Sequence, residues 1–215
     1  KAAEQGHEAC MSLLLAAGAN IDAANDECGW TPLHASAWEG RETCVSVLAQ
    51  AGANLEAEDW CSCTPLHAAA QEGHKACVSV LVEAGANVDA VNENGYTPLL
   101  KAALNGHDAC VLLFLEAGAR ADVADKDGWT PLHRAAEEGD EACVSLLLEA
   151  GAAVDAADKN GKTPLHMAAE EGCEACASLL LAAGASLEAV DRAGCNPLHA
   201  AAQQGHATCV SVLLE

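Results

Sequence analysis

Basic side chains are scarce in this sequence. Ten Lys and Arg stand against 32 Asp and Glu, a formal net charge of -22 over 215 residues. A phosphate backbone is bound by clustered Lys and Arg, so the composition argues against a nucleic-acid partner. It disfavours an anionic membrane surface for the same reason. Aromatics are few as well: four Trp, one Tyr and one Phe. The core must therefore be aliphatic and Ala-rich, which favours close-packed helices over a sandwich or barrel. No run approaches the roughly 18 unbroken apolar residues of a membrane span, so no membrane insertion is expected. The opening Lys1-Ala2-Ala3-Glu4-Gln5-Gly6 has neither an initiator Met nor the look of a signal peptide. What is present is apolar bulk, 51% of residues, enough for a core despite the charge.

Proline is confined to one motif. Thr-Pro-Leu-His begins at Thr31, Thr64, Thr130 and Thr163, with Thr-Pro-Leu-Leu at Thr97 and Asn-Pro-Leu-His at Asn196, and successive starts lie 33 residues apart. Thr can cap a helix, and Pro in the first helical position forfeits no useful N–H. Glycine is as regular. It follows a first helix at Gly40 and its equivalents, follows a second helix at Gly52 and its equivalents, and marks the connecting loop at Gly29, Gly95, Gly128, Gly161 and Gly194. A residue free to turn left-handed ends a helix readily. The segments between these marks are about two turns long and unstable alone, so they must stack on their neighbours.

With Thr-Pro-Leu-His at a 33-residue period, the chain resembles the ankyrin-repeat family over its whole length, and Asp158–Ala185 follows that pattern almost throughout. The resemblance implies an all-α solenoid: seven stacked helix pairs linked by six hairpin-like finger loops, a single array over residues 1–215. Two fingers depart from it. Finger one carries an extra residue between Gly18 and Thr31, and finger two has Ser62 where the others have Gly. Both are expected to deviate from the family hairpin. The ends, Leu13-Leu14-Leu15 and Val210–Leu214, lack the polar face of terminal repeats, so a stretch of a longer array or a complex is expected.

Cysteine and histidine are repeat-locked. Cys10, Cys44, Cys77, Cys110, Cys143, Cys176 and Cys209 share one second-helix position, where the thiol is expected to face the core. Stacked helices lie about 8–10 Å apart, too far for a disulfide. Twelve unpaired thiols suit a reducing compartment, cytoplasm or nucleus. Cys173 and Cys176 have redox-motif spacing, but no thioredoxin-like context surrounds them. Cys28, Cys61 and Cys63 could supply three zinc ligands where a structural site needs four. No metal, cofactor or catalytic residue is assigned. His34, His67, His133, His166 and His199 close the tetrapeptide, where the family uses imidazole to brace the turn. A Cys, a His and an Asp recurring in every repeat are scaffolding, because catalysis needs one convergent pocket.

The resemblance implies a non-enzymatic module binding another protein through its concave finger and first-helix surface. Five of the six aromatics fall there. Trp30, Tyr96 and Trp129 directly precede the tetrapeptide, Trp60 is at a finger tip, and Trp38 lies two residues before Gly40. Each ring either anchors a partner or covers the neighbouring finger. Charge is uneven: Asp22, Asp26, Glu27, Glu56, Glu58 and Asp59 mark the first two fingers, whereas Lys126, Lys159, Lys162 and Arg192 mark the last three. Glu137, Glu138, Glu170 and Glu171 acidify the helix floor beside the latter. A partner is expected to set its basic side over the first fingers and its acidic side over Lys126–Arg192. The rival reading is a structural spacer packed through its ends and flanks. A thiol-redox or metal-binding unit is more remote.

Overall fold

The computed structural model describes residues 1–215, with thirteen α-helices and no strand. The chain divides into two compact units, Lys1–Ala119 and Arg120–Glu215. In the first unit, α1 (Glu8–Ala16) is followed by the pairs α2 (Pro32–Trp38) with α3 (Glu42–Gln50), α4 (Pro65–Gln71) with α5 (Lys75–Glu83), and α6 (Pro98–Leu104) with α7 (Asp108–Glu116). The second unit holds α8 (Pro131–Glu137) with α9 (Glu141–Glu149), α10 (Pro164–Glu171) with α11 (Glu174–Ala182), and α12 (Pro197–Gln204) with α13 (Ala207–Leu214). Within each unit first helices pack on first helices and second on second: α2 on α4 on α6, and α8 on α10 on α12. Where the seventh expected pair would have its first helix, Lys1–Gly6 form hydrogen-bonded turns, with Gln5 N–H on the Lys1 carbonyl at 3.0 Å. Six residues ending at the left-handed Gly6 are too few for a stable α-helix.

Where the tetrapeptide carries histidine inside a unit, that residue is the hub of the turn; Leu100 takes its place in α6. In α2 the Thr31 hydroxyl accepts from the His34 N–H while the Thr31 N–H donates to His34 Nδ1 at 3.2 Å, a reciprocal cap. Nδ1 must therefore be bare, which leaves the proton on Nε2. That N–H donates to the Cys63 carbonyl of the next finger at 2.9 Å. His67 repeats the arrangement onto the Tyr96 carbonyl at 2.9 Å, and in the second unit His133 and His166 reach the Lys162 and Cys195 carbonyls at 3.1 Å each. Only a neutral ring serves both ends. Burial accordingly lowers the pKa of His34 and His133, and that of His67 to about 4.

A second set of histidines links repeats through glycine. His74 Nε2 donates to the Trp38 carbonyl at 2.8 Å, His107 to Gln71 at 3.0 Å, and His206 to Glu170 at 2.9 Å. Each ring lies over the glycine that ends the preceding first helix. A Cβ on Gly40, whose φ is +67°, would fall 2.7 Å from His74 Nδ1. Glycine is thus needed twice there, for its left-handed backbone and for the gap that admits the imidazole. Cys173 occupies this histidine position, so its spacing to Cys176 arises from repeat geometry. Cys176 is fully buried and its thiol pKa is pushed up, the opposite of an activated nucleophile. Burial likewise pushes Cys77 and Cys110 up to about 11.

The cysteine ladder faces the core at Cys44, Cys77, Cys110, Cys143, Cys176 and Cys209, but Cys10 is exposed. Cys209 is buried with no helix pair on its C-terminal side, whereas Cys10 has none on its N-terminal side. The thiol is therefore covered by the pair that precedes it.

Each finger is folded by one side chain. Asp59 Oδ1 accepts from the N–H groups of Cys61 and Cys63, both at 2.8 Å, and Asn92 Oδ1 does the same for Asn94 and Tyr96. Finger two does not deviate as expected. Ser62 takes the left-handed conformation itself, with φ +57°, the one non-glycine residue to do so. Finger one does deviate. Its turn closes from Asn25 N–H to the Trp30 carbonyl, five residues on, where finger two closes from Asp59 to Cys63, four on.

Two outcomes follow. Ser62→Gly relieves left-handed strain worth about 1 kcal/mol and should raise the urea midpoint, whereas Ser62→Val should lower it. Because the folded pKa of His67 lies below its unfolded value of 6.5, the unfolded chain binds the extra proton. Stability should fall as pH drops from about 6.5 to 4, by ~3 kcal/mol at most for this residue. Urea titrations across that range should show a shallower decline in His67→Leu, which copies Leu100; an unchanged slope would contradict the assignment.

Candidate functional site

In the first unit the finger-one aromatics come together. The Trp30 and Trp38 ring centroids are 5.2 Å apart with planes inclined by 47°. Both rings are half-buried, and Trp30 Nε1 donates to Asp59 Oδ2 at 3.1 Å. They line a groove of about 680 Å³, together with Ala35 and the carboxylates of Glu4, Asp26, Glu27 and Glu39. Trp60 stands apart at the tip of finger two, 66% exposed. Its backbone N–H donates to the Cys28 carbonyl at 3.1 Å, and its ring edge closes over Gly29, where a Cβ would come within 2.8 Å. Tyr96 is engaged internally. Lys101 Nζ lies 5.2 Å from its ring centroid and bonds Gln71 Oε1 at 2.9 Å.

In the second unit Trp129 is covered by Arg134, whose guanidinium sits 4.0 Å from the ring centroid. Arg134 also reaches Asp125 Oδ2 at 3.1 Å and Glu137 Oε2 at 3.3 Å. Lys162 Nζ bonds both carboxylate oxygens of Glu170, at 2.6 and 2.7 Å. Glu170 is thereby paired one-to-one, Glu137 shares Arg134 with Asp125, and Glu138 and Glu171 remain as the exposed acids of this floor. Lys126, Lys159 and Arg192 are exposed at finger tips. Lys159 lies 3.9 Å from Asp127, both well solvated, a pair of little energetic weight. The backbones of Lys159 and Arg192 are pinned to the preceding finger, on the Asp127 and Asn160 carbonyls at 2.9 and 2.7 Å.

Several acids read as free surface charge are structural. Asp22 accepts from Asn54 N–H at 3.0 Å, and Glu56 from Asn87 N–H at 2.8 Å. Asp26 and Glu27 remain exposed at finger one. Cys28 and Cys63 have other partners, Asn25 Oδ1 at 3.3 Å and Asn92 Nδ2 at 3.2 Å. The His, Cys and Asp of each repeat lie in turns, ladders and finger loops, each serving its own neighbourhood.

Family models for ankyrin repeats match residues 1–49, 56–125, 102–191 and 157–215. The chain belongs to the ankyrin-repeat family. A crystal structure of the ankyrin repeat domain of Bcl-3, a unique member of the IkappaB protein family, superposes with a TM-score of 0.85 at 29% identity, covering 100% of this chain and 96% of that one. Among solved structures 606 chains match, a breadth that fixes the fold and leaves the partner open. No curated protein matches the chain. The ankyrin repeat is a general protein–protein interaction module, and ankyrin-repeat proteins are generally non-enzymatic. No helix is long and apolar enough to cross a membrane.

Sequence reasoning missed Lys101 and Arg134. The available signal was that both stand four residues after the tetrapeptide's Thr, where other repeats carry Ala or Met, and five after an aromatic. Arg134→Ala would strip Asp125, which is buried, of its counter-charge. It should cost about 2–3 kcal/mol in chemical denaturation, whereas Lys159→Ala should leave the midpoint unchanged.

Proposed function

We propose that this ankyrin-repeat protein binds a protein partner through its finger and first-helix surface, with the Trp30/Trp38 groove and Trp60 as anchors in the first unit. The observation that carries the reading is the aromatic exposure at those positions. Trp60 is 66% exposed, and Trp38 stands on the helix floor against a groove rather than inside the core. Exposed indoles on an acidic surface are costly to leave in water and are enriched among interface hot spots. Tyr96 and Trp129 are engaged by Lys101 and Arg134 within the fold and contribute less. In the second unit Lys126, Lys159, Lys162 and Arg192, with Glu137, Glu138, Glu170 and Glu171, form a mixed surface that would orient a partner more than hold it.

A second reading is favoured by Leu13 and Leu14, 71% and 53% exposed, and by Leu214 at 69%, which suit a spacer packed through its ends. The two separate in one experiment. In a crosslinking pull-down, the double variant Trp38→Ala/Trp60→Ala should lose a partner that Leu13→Ser/Leu14→Ser retains. The reverse pattern would transfer the interface to the ends.

A further inference from the structure

Three repeat positions recur together: the residue before the tetrapeptide, the fourth after its Thr, and the second before the glycine that ends the first helix. In the second unit they hold Trp129, Arg134 and Glu137. The chain there supplies its own cation, with the Arg134 guanidinium over the indole at 4.0 Å and anchored by Asp125 and Glu137. Tyr96 likewise carries Lys101. At Trp30 the same positions hold Ala35 and Trp38, so no intramolecular cation covers the ring. In place of a guanidinium there is the open groove of about 680 Å³, floored by Ala35 and walled by two indoles. Four carboxylates, Glu4, Asp26, Glu27 and Glu39, line it, of which Glu39 stands 3.9 Å from the Arg41 guanidinium in a solvated pair. The one basic residue in the lining, Lys1, has a fully exposed side chain.

We propose that this groove receives an arginine side chain from a basic segment of the partner, stacked on Trp30 and Trp38 beside the exposed carboxylates of Asp26 and Glu27. The inference rests on the partner-binding reading above and names the chemistry of the anchor. Arginine suits the site better than lysine, because a planar, weakly hydrated guanidinium can lie along an indole face while its N–H fork meets carboxylates. The charge is complementary, since the surface is acidic and the missing group is a cation. The geometry has a precedent within the same chain, in which Arg134 does for Trp129 what the partner's arginine does for Trp30.

The four tryptophans provide a site-resolved readout through their indole N–H signals in NMR. The probe is a nine-residue Gly/Ser peptide with one central Arg, compared with the same peptide carrying citrulline, the neutral isostere. The Arg peptide should move the Trp30 and Trp38 signals saturably and leave Trp129, whose face is taken, in place. Citrulline should bind at least tenfold more weakly. Ala35→Arg, which installs the second unit's arrangement, should weaken binding at least tenfold, whereas the charge-matched Gln50→Arg on α3 should change it less than twofold. Should Ala35→Arg not fold, Trp38→Gln, copying Gln71 and Gln203, serves instead with the same expected loss. Equal binding of Arg and citrulline peptides, or equal effects of Ala35→Arg and Gln50→Arg, would overturn the proposal in favour of diffuse attraction to an acidic chain. A captured partner that depends on Trp38 but is not displaced by the Arg peptide would refute the arginine anchor and leave the binding surface standing. Arg-peptide binding with Trp38-independent capture would keep the arginine site and remove the partner reading.

Discussion

A neutral imidazole held between two backbones is the interaction on which the repeat depends. At His34, His67, His133 and His166 one ring nitrogen takes the N–H of the Thr that starts its own helix, and the other gives its proton to a carbonyl of the next finger. Short helices of seven or eight residues have little stability of their own. Through this ring the start of each helix and the position of the following finger become a single geometric fact. The second histidine set does the same at the other end of the first helix, threading a ring over glycine to a carbonyl in the preceding repeat. Between them, the two sets fix where finger tips stand relative to the helix floor.

That fixed relation makes an open surface usable. Tip residues such as Trp60 and Arg192 hang from backbones tied to the previous finger, so their side chains are presented from defined points rather than from mobile loops. Preorganised anchors bind with less entropic cost than groups that must be ordered on contact. The carboxylates divide into two kinds. Asp22, Glu56 and Asp59 hold N–H groups and belong to the scaffold, while Asp26 and Glu27 face solvent.

Much of the fold was legible because its signals are local. Thr-Pro marks helix starts, glycine marks helix ends, and the buried thiols from Cys44 onward follow from one repeat position. The surface was legible less evenly, because its contacts join residues one period apart or on opposite sides of a turn. Nothing local distinguishes Asp22, which caps Asn54, from Asp26, which faces solvent. The stacking of Arg134 on Trp129 joins a helix to its own finger, and composition counts only two separate residues. Ser62 looked like a disruption and proved a tolerated strain, since the Asp59 side chain imposes the turn whatever residue follows. Cys10 broke the ladder because burial belongs to the neighbouring pair and not to the position itself.

Finger one closes over one residue more than finger two, yet α2 begins with the same Thr-Pro cap as α4. The additional residue is absorbed at the tip, beyond the Asn25 that gathers the loop's N–H groups and before the Thr that restarts the helix. Loop length and stacking register are therefore separate variables in this architecture. The finger rim can lengthen or change composition one finger at a time while the helical floor keeps its spacing, so novelty at the rim carries no debt to the core.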